Sequence, residues 1–220
     1  MIIKFIGDVH GSWQDLEQIL REHKDTDYFV QVGDMNLGFP SLYTYRNLKT
    51  NKTITKETPP DPTEFPNNFK FIRGNHDCPE TCGKHTNYLG DYGFNDKIGK
   101  DGLFYISGGY STDSGNRTEG LDWWRREELS HEDLQDCVEQ YSQIKPKIVV
   151  SHECPTFVQK ELCDSIHGYS RTAMALSEMF KIHQPLQWYF GHHHKSYRSV
   201  HNNTLFVCCG VNQVVAQQGG

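Results

Sequence analysis

The chain has 220 residues, 23% of them charged and 36% apolar, with a net charge of −6 when histidine is neutral. That length suits one α/β domain with a real core (residues 1–220 as a single unit), and the composition excludes a disordered chain. The negative balance advertises no bare basic groove for nucleic acid, without excluding such a substrate, and no apolar run is long enough to span a membrane.

Ile2–Ile6 reads as a buried strand, too short for a signal peptide, that ends in Gly7-Asp8. Ser12 is placed as an N-cap with Asp15 three residues on, and Trp13, Leu16, Ile19 and Leu20 follow at helical spacing. Tyr28–Val32 is a second strand ending in Gly33-Asp34, so the chain opens with a β-α-β unit and a parallel strand pair. Prolines at 40, 59, 60, 62 and 66 mark residues 40–68 as an irregular insertion. Phe69–Ile72 is a third strand, followed by Arg73-Gly74-Asn75-His76-Asp77, and Leu103–Ser107 is a fourth. A polar loop at 111–120 leads to Trp123-Trp124, and Ser130 with Asp133 caps a helix that runs to about Ile144. Lys147–Val150 is a strand ending in Ser151-His152, and a helix covers about Thr172 to His183. Trp188–Phe190 ends in Gly191-His192-His193-His194, Tyr197–Val200 and Leu205–Cys209 form a hairpin, and Gln217–Gly220 is expected to fray. The seven cysteines are odd in number and Cys78, Cys82, Cys154 and Cys163 lack zinc-ribbon spacing. With no export signal, they read as reduced thiols of a cytoplasmic protein.

The position of the polar residues carries the functional signal. Five strands end in groups that bind metal or protons: Asp8-x-His10, Asp34, Asn75-His76-Asp77, His152 and His192-x-His194. Sites on open α/β sheets form outside the carboxyl ends of the strands, so these residues are expected along one edge. Alone, each has an ordinary reading: Gly-Asp as a turn, Asn after Gly as turn chemistry, a histidine as a satisfied polar residue. All five together do not. Mixed carboxylate, amide and imidazole donors suit manganese, iron or zinc. Two ions ~3.5–4 Å apart need a shared carboxylate, for which Asp34 is the candidate, and a water between them is a nucleophile at neutral pH.

The ordered motifs Gly7-Asp8-Val9-His10-Gly11, Gly33-Asp34, Gly74-Asn75-His76-Asp77, Ser151-His152 and Gly191-His192-His193-His194 resemble the calcineurin-like metallophosphoesterase superfamily. The resemblance implies an α/β fold of two mixed β-sheets packed face to face with flanking helices, a four-layer αββα sandwich. It implies two divalent metal ions, most simply Mn2+ with Fe or Zn as alternatives. Asp8, His10, Asp34 and His194 would bind the first ion; Asp34, Asn75, His152 and His192 the second. His76 would be no ligand but the acid that protonates the leaving-group oxygen. Its Gly-His-x-His motif leaves His193 as the variable position, and residues two apart on a strand edge share a face, which selects the same pair.

One motif departs from the pattern of the superfamily's protein phosphatases, Gly-Asp-x-x-Asp-Arg-Gly. Leu37 stands where an Asp orients the catalytic histidine, and Gly38 where an Arg clamps phosphate. Asp77 is then the expected orienter of His76. Arg117, held by Asp113, is the first choice of phosphate-binding cation, followed by Arg73 and Arg46. Trp123-Trp124 with Glu127 and Glu128 is expected to pack beneath the 111–120 loop. Phe39, Tyr43, Tyr45 and Phe65 edge the insertion, with loop packing as their first reading and nucleobase stacking as the second.

The function expected is hydrolysis of a phosphate ester, leaning to a monoester of a small molecule or phosphoprotein. A phosphodiesterase on a cyclic or oligonucleotide substrate is the near rival, which keeps nucleotides and nucleic acid among the partners. A scaffold that has lost catalysis would show eroded ligands or lack His76, and this chain keeps both the ligands and His76.

Overall fold

The computed structural model describes residues 1–39, 61–163 and 169–218 in full, and residues 42–47 and 52–57 through their backbone. In chain order, β1 (Ile3–Ile6), α1 (Trp13–Glu22) and β2 (Tyr28–Gln31) form the opening unit, followed by β3 (Leu42–Asn47) and β4 (Lys52–Glu57). Then come β5 (Phe69–Phe71), α2 (Pro79–Cys82), β6 (Tyr92–Asn95), β7 (Leu103–Ile106) and α3 (His131–Ile144). The second half holds β8 (Ile148–Ser151), α4 (Thr156–Leu162), α5 (Arg171–Ile182), β9 (Gln187–Phe190), β10 (Tyr197–His201), β11 (Thr204–Cys208) and β12 (Val214–Ala216).

Two mixed sheets result. One has the order β12-β1-β2-β5, with β1, β2 and β5 parallel and β12 antiparallel to β1. The other has the order β10-β11-β9-β8-β7-β6, parallel in the middle and antiparallel at both edges. Side chains alternate between faces of a strand, and that period of two divides the core into layers. Ile3, Phe5 and Val30 of the first sheet meet Ile148, Val150, Tyr189 and Val207 of the second. Phe5 stacks on Tyr189 across the interface with ring centroids 3.7 Å apart. The intervening residues face outward: Ile6, Phe29, Phe69 and Phe71 pack on α1 through Leu16, while Val149, Trp188, Phe190 and Phe206 pack on α3 and α5 through Tyr141, Leu176 and Phe180. Helix, sheet, sheet and helix therefore follow in four layers, as the superfamily resemblance implied.

Several expectations change. The stretch expected to be irregular contains an antiparallel hairpin, β3 with β4. Ser12 precedes α1 but makes no side-chain cap bond, because its ψ of 61° takes it out of the extended conformation that aims an N-cap oxygen at the helix. Ser130 forms the expected capping box with Asp133. Gln217 is tied rather than frayed, its N–H donating to Ile3 O at 2.9 Å, while residues 219–220 lie outside the described residues. Among the described residues no helix is long and apolar enough to cross a membrane.

Candidate metal centre

β1, β2 and β5 of one sheet and β8 and β9 of the other all end at the same rim, so residues scattered from position 8 to position 194 converge there. The turns that carry them are tight. His10, Asp34, His192 and His194 all have positive φ, from 47° to 66°, a region that non-glycine residues occupy at a cost. The glycines beside them leave no room for a side chain: a Cβ on Gly74 would collide with Asp34 and His152, and one on Gly191 with Asp8.

Two clusters form. Asp8, His10, Asp34 and His194 bring four ligand atoms together, and Asp34, His152 and His192 bring three, with Asn75 among them. Asp34 belongs to both. Its Oδ2 lies 3.7 Å from His10 Nε2, and its Oδ1 lies 3.2 Å from His152 Nε2. Asn75 Oδ1, His152 Nε2 and His192 Nδ1 form a triangle with edges of 2.9, 3.0 and 3.2 Å. Ligands at right angles around an ion ~2.1 Å away would lie ~3.0 Å apart, so the triangle fits a divalent cation. In the other cluster His10 Nε2 and His194 Nε2 face each other at 2.8 Å. Asp8 Oδ2 is buried and accepts no hydrogen bond, although His194 Nε2 is 3.2 Å away. A buried carboxylate oxygen without a donor is costly unless a cation completes it, so the donor set fits a metal there too.

The two rings of the second cluster differ in the metal-free protein: His152 must release a proton to bind an ion, and His192 need not. Burial works against charge on His152, yet the adjacent Asp34 outweighs it and raises the ring to about 10. The same histidines hold Asp34 well below the usual carboxylate range despite its burial. Burial pushes His192 down to about 4, which keeps its ring neutral, the form a ligand needs. His152 is fixed from behind, its Nδ1 donating to Val32 O at 2.9 Å, so Nε2 is the atom aimed at the site.

His76 stands at the mouth. Its backbone N–H donates to Asp34 Oδ1 at 2.8 Å, and its ring meets His10 edge-on with centroids 5.0 Å apart. Arg117 Nη2 donates to His76 Nε2 at 2.9 Å and pairs with Asp113 at 2.9 Å. Burial pushes His76 down to about 4, with Asp34 opposing and Arg117 adding to the fall. Phe39 stacks beside this ring at 5.9 Å and touches Trp124. A cavity of about 320 Å³ opens here, lined by Asp34, Asn75, His76, Asp113, Arg117 and His194 among others.

Two expected roles do not survive. Asp77 does not orient His76: its carboxylate accepts the backbone N–H groups of Met35, Asn36, Leu37 and Gly74, because the side chain points under the turns rather than along the ring. Arg73 does not face substrate. It is 1% exposed, its Nε donating to Asp91 at 2.8 Å and its Nη1 to Glu127 O at 2.8 Å. Leu37, at the missing Asp position, is buried in the core beneath α1. The side chains of Arg46, Tyr43 and Tyr45 lie outside the described residues, and Phe65 packs on Phe69 and Phe71.

Three contributors escaped the sequence reading. Asn75 Nδ2 donates to Ser111 Oγ at 2.9 Å, and Ser111 Oγ in turn donates to Glu127 at 2.5 Å. That chain turns the Asn75 amide oxygen toward the site. Glu127 stood out in the sequence only as packing, and Ser111 only as part of a polar loop. The third, Glu153, adjoins His192, and its one sequence signal was adjacency to His152.

Comparison with known proteins bears on the same residues. The profile of the calcineurin-like phosphoesterase family matches residues 1–196, a span that holds every residue of both clusters. No curated protein sequence matches the chain. Among solved structures, TT1561 of Thermus thermophilus is similar at 12% identity with a TM-score of 0.50, covering 97% of this chain and 91% of that one. GAP50, described as the anchor in the inner membrane complex of Plasmodium, is similar at 15% identity with a TM-score of 0.49, over 95% of this chain and 71% of that one. A predicted phosphoesterase from Streptococcus pneumoniae is similar at 12% identity with a TM-score of 0.38, over 96% and 72%. At such identities the TT1561 likeness speaks to fold, and the family match decides: this chain belongs to the calcineurin-like phosphoesterase family.

Proposed function

We propose that this chain is a binuclear metal-dependent phosphoesterase that hydrolyses a phosphate monoester. The observation that carries the reading is Asp34, a buried carboxylate whose two oxygens face two separate ligand clusters. Asp8, His10, Asp34 and His194 would hold one ion, and Asp34, Asn75, His152 and His192 the other. Manganese, iron and zinc all suit that donor set. A pair of divalent ions, when bound, activates water at neutral pH and offsets charge on phosphoryl oxygens.

The chain's own residues supply the rest. Arg117 is the cation for the phosphate, since it lines the cavity and is held by Asp113. In the free protein it donates to His76. A phosphate dianion draws Arg117 to itself and sets negative charge against the His76 ring, and both effects raise the affinity of that ring for a proton. His76 then holds the proton that the leaving oxygen receives. A monoester dianion matches this arrangement, because it presents the charge that an arginine binds in a bidentate manner.

The test is a manganese-supplemented assay of an aryl phosphate monoester against the matching diester. The monoester should turn over faster, and Arg117→Ala should cut its kcat/KM by about 10²–10³. Preference for the diester would replace this reading with a phosphodiesterase. Failure on both esters by metal-loaded protein would point to a scaffold.

A further inference from the structure

The proposed reaction leaves one buried carboxylate beside the ligands unused. Glu153 follows His152 at the end of β8 and is 1% exposed. Its Oε2 lies 3.3 Å from His192 Nε2. Its Oε1 accepts the Cys154 N–H at 2.8 Å and lies 3.0 Å from His193 Nε2. Among the described residues no lysine or arginine pairs with it, so its carboxylate is met by these two imidazoles and the Cys154 N–H.

The His192 ring is therefore defined at both edges. Nε2 faces Glu153, while Nδ1 faces Asn75 Oδ1 at 2.9 Å and His152 Nε2 at 3.2 Å. A neutral imidazole carries one N–H, and the Glu153 carboxylate 3.3 Å from Nε2 favours the hydrogen on that nitrogen by its charge. The Nδ1 lone pair is then left pointing into the ligand cluster. Asn75 and His152 are already anchored from behind, through Ser111 and Val32 O. Glu153 gives the third of these donors, His192, its anchor.

We propose that Glu153 is a positioning residue that sets the tautomer and ring orientation of His192 for metal binding, and that His193 braces it through its other carboxylate oxygen. The proposal rests on the binuclear reading. It also gives a role to His193, the middle of the histidine run, whose Nε2 turns away from the metal clusters toward Glu153 and Cys154. Glu153, Cys154 and His193 also lie close enough to hold an ion of their own. Occupancy favours the brace: both Glu153 oxygens already face partners within the chain, and one of those partners is a backbone N–H that no ion would replace.

The experiment is manganese titration by equilibrium dialysis on wild-type protein and Glu153→Gln, with melting temperatures of both in chelator. Glutamine keeps the shape but sets an NH2 where three donors now find only acceptors. The wild type should bind two equivalents. Glu153→Gln should still reach two at saturation, with one binding step weakened by about 10–100-fold, the usual effect of losing a partner behind a metal-ligating histidine. Its chelated melting temperature should stay within a few degrees of the wild type. Unchanged metal affinity in Glu153→Gln would overturn the proposal, as would a third equivalent in the wild type that the variant lacks. A lowered melting temperature in chelator with unchanged affinity would assign Glu153 a purely structural role. Fewer than two equivalents in the wild type would instead overturn the binuclear reading beneath it. Should Glu153→Gln not fold, His193→Gln carries the test: a weakened step supports the brace and an unchanged one overturns it.

Discussion

Asp77 sits next to the residue proposed as the acid, yet it serves the backbone. Its Oδ1 accepts from Asn36 N–H at 2.7 Å and Leu37 N–H at 3.1 Å, and its Oδ2 from Met35 N–H at 3.2 Å and Gly74 N–H at 2.8 Å. It therefore ties the turn that bears Asp34 to the turn that bears Asn75 and His76. Burial, with the Asp34 charge adding to it, pushes its carboxyl up to about 6. Asp77→Ala would strand four buried donors, each worth ~1–3 kcal/mol when unsatisfied, so urea denaturation in chelator should show a loss of at least about 3 kcal/mol. A loss below about 1 kcal/mol would mean that the turns hold without it. The sequence could not reveal this job, because the partners are main-chain groups, most of them about forty positions away, that any residue type supplies. The residues that cluster at the rim were legible as candidate ligands because their chemistry lies in the side chain and their spacing in the strand ends. Arg117 was legible for a related reason: a lone arginine with an aspartate four residues before it stands in a polar loop. Arg73 ranked behind it as a candidate, and only its fold-dependent partners Asp91 and the Glu127 carbonyl show it to be structural.

At the scale of elements, two helices begin with the same pattern and differ in fact. Ser130 Oγ accepts the Asp133 N–H at 3.0 Å, while the Ser12 side chain makes no cap bond. The difference comes from what precedes them. Ser130 arrives extended, with ψ of 165°, whereas Ser12 leaves a turn in which His10 and Gly11 both have positive φ to place the His10 ring in the site. Ser130→Ala should cost about 1 kcal/mol and Ser12→Ala under about 0.5, read from denaturant midpoints of the two variants. Equal costs would contradict the assigned caps. Strands that alternate apolar side chains between two buried faces were readable from their sequence, as in Trp188–Phe190. Helices α2 and α4 were missed, and so were four strands: β6 with its glycine, the three-residue β12, and the β3 and β4 hairpin among Thr, Lys and Asn. Each of these strands is too short or too polar for periodicity to register, and edge pairing rather than core burial defines it.

The whole molecule explains why ligands so distant in sequence meet. Three site-bearing strands belong to one sheet and two to the other, and the shared core of Phe5, Val30, Val150 and Tyr189 fixes how the two rims align. Neither sheet alone carries the full set of candidate ligands for the proposed second ion. Asp34 and Asn75 come from the first sheet, His152 and His192 from the second. The sequence, through the superfamily resemblance, pointed to the ligand types, the fold class and Asp34 as the shared carboxylate; the sheets in place show which of its oxygens faces which cluster. That division is the central claim, and it is tested by the manganese content at saturation of wild-type protein and of Asp34→Asn, measured on the same dialysed samples as aryl phosphate hydrolysis. The account predicts two ions per chain in the wild type, and at most one with hydrolysis abolished in the variant, since the shared anionic ligand is lost. A single ion in the wild type, or two ions and undiminished hydrolysis in the variant, would contradict it.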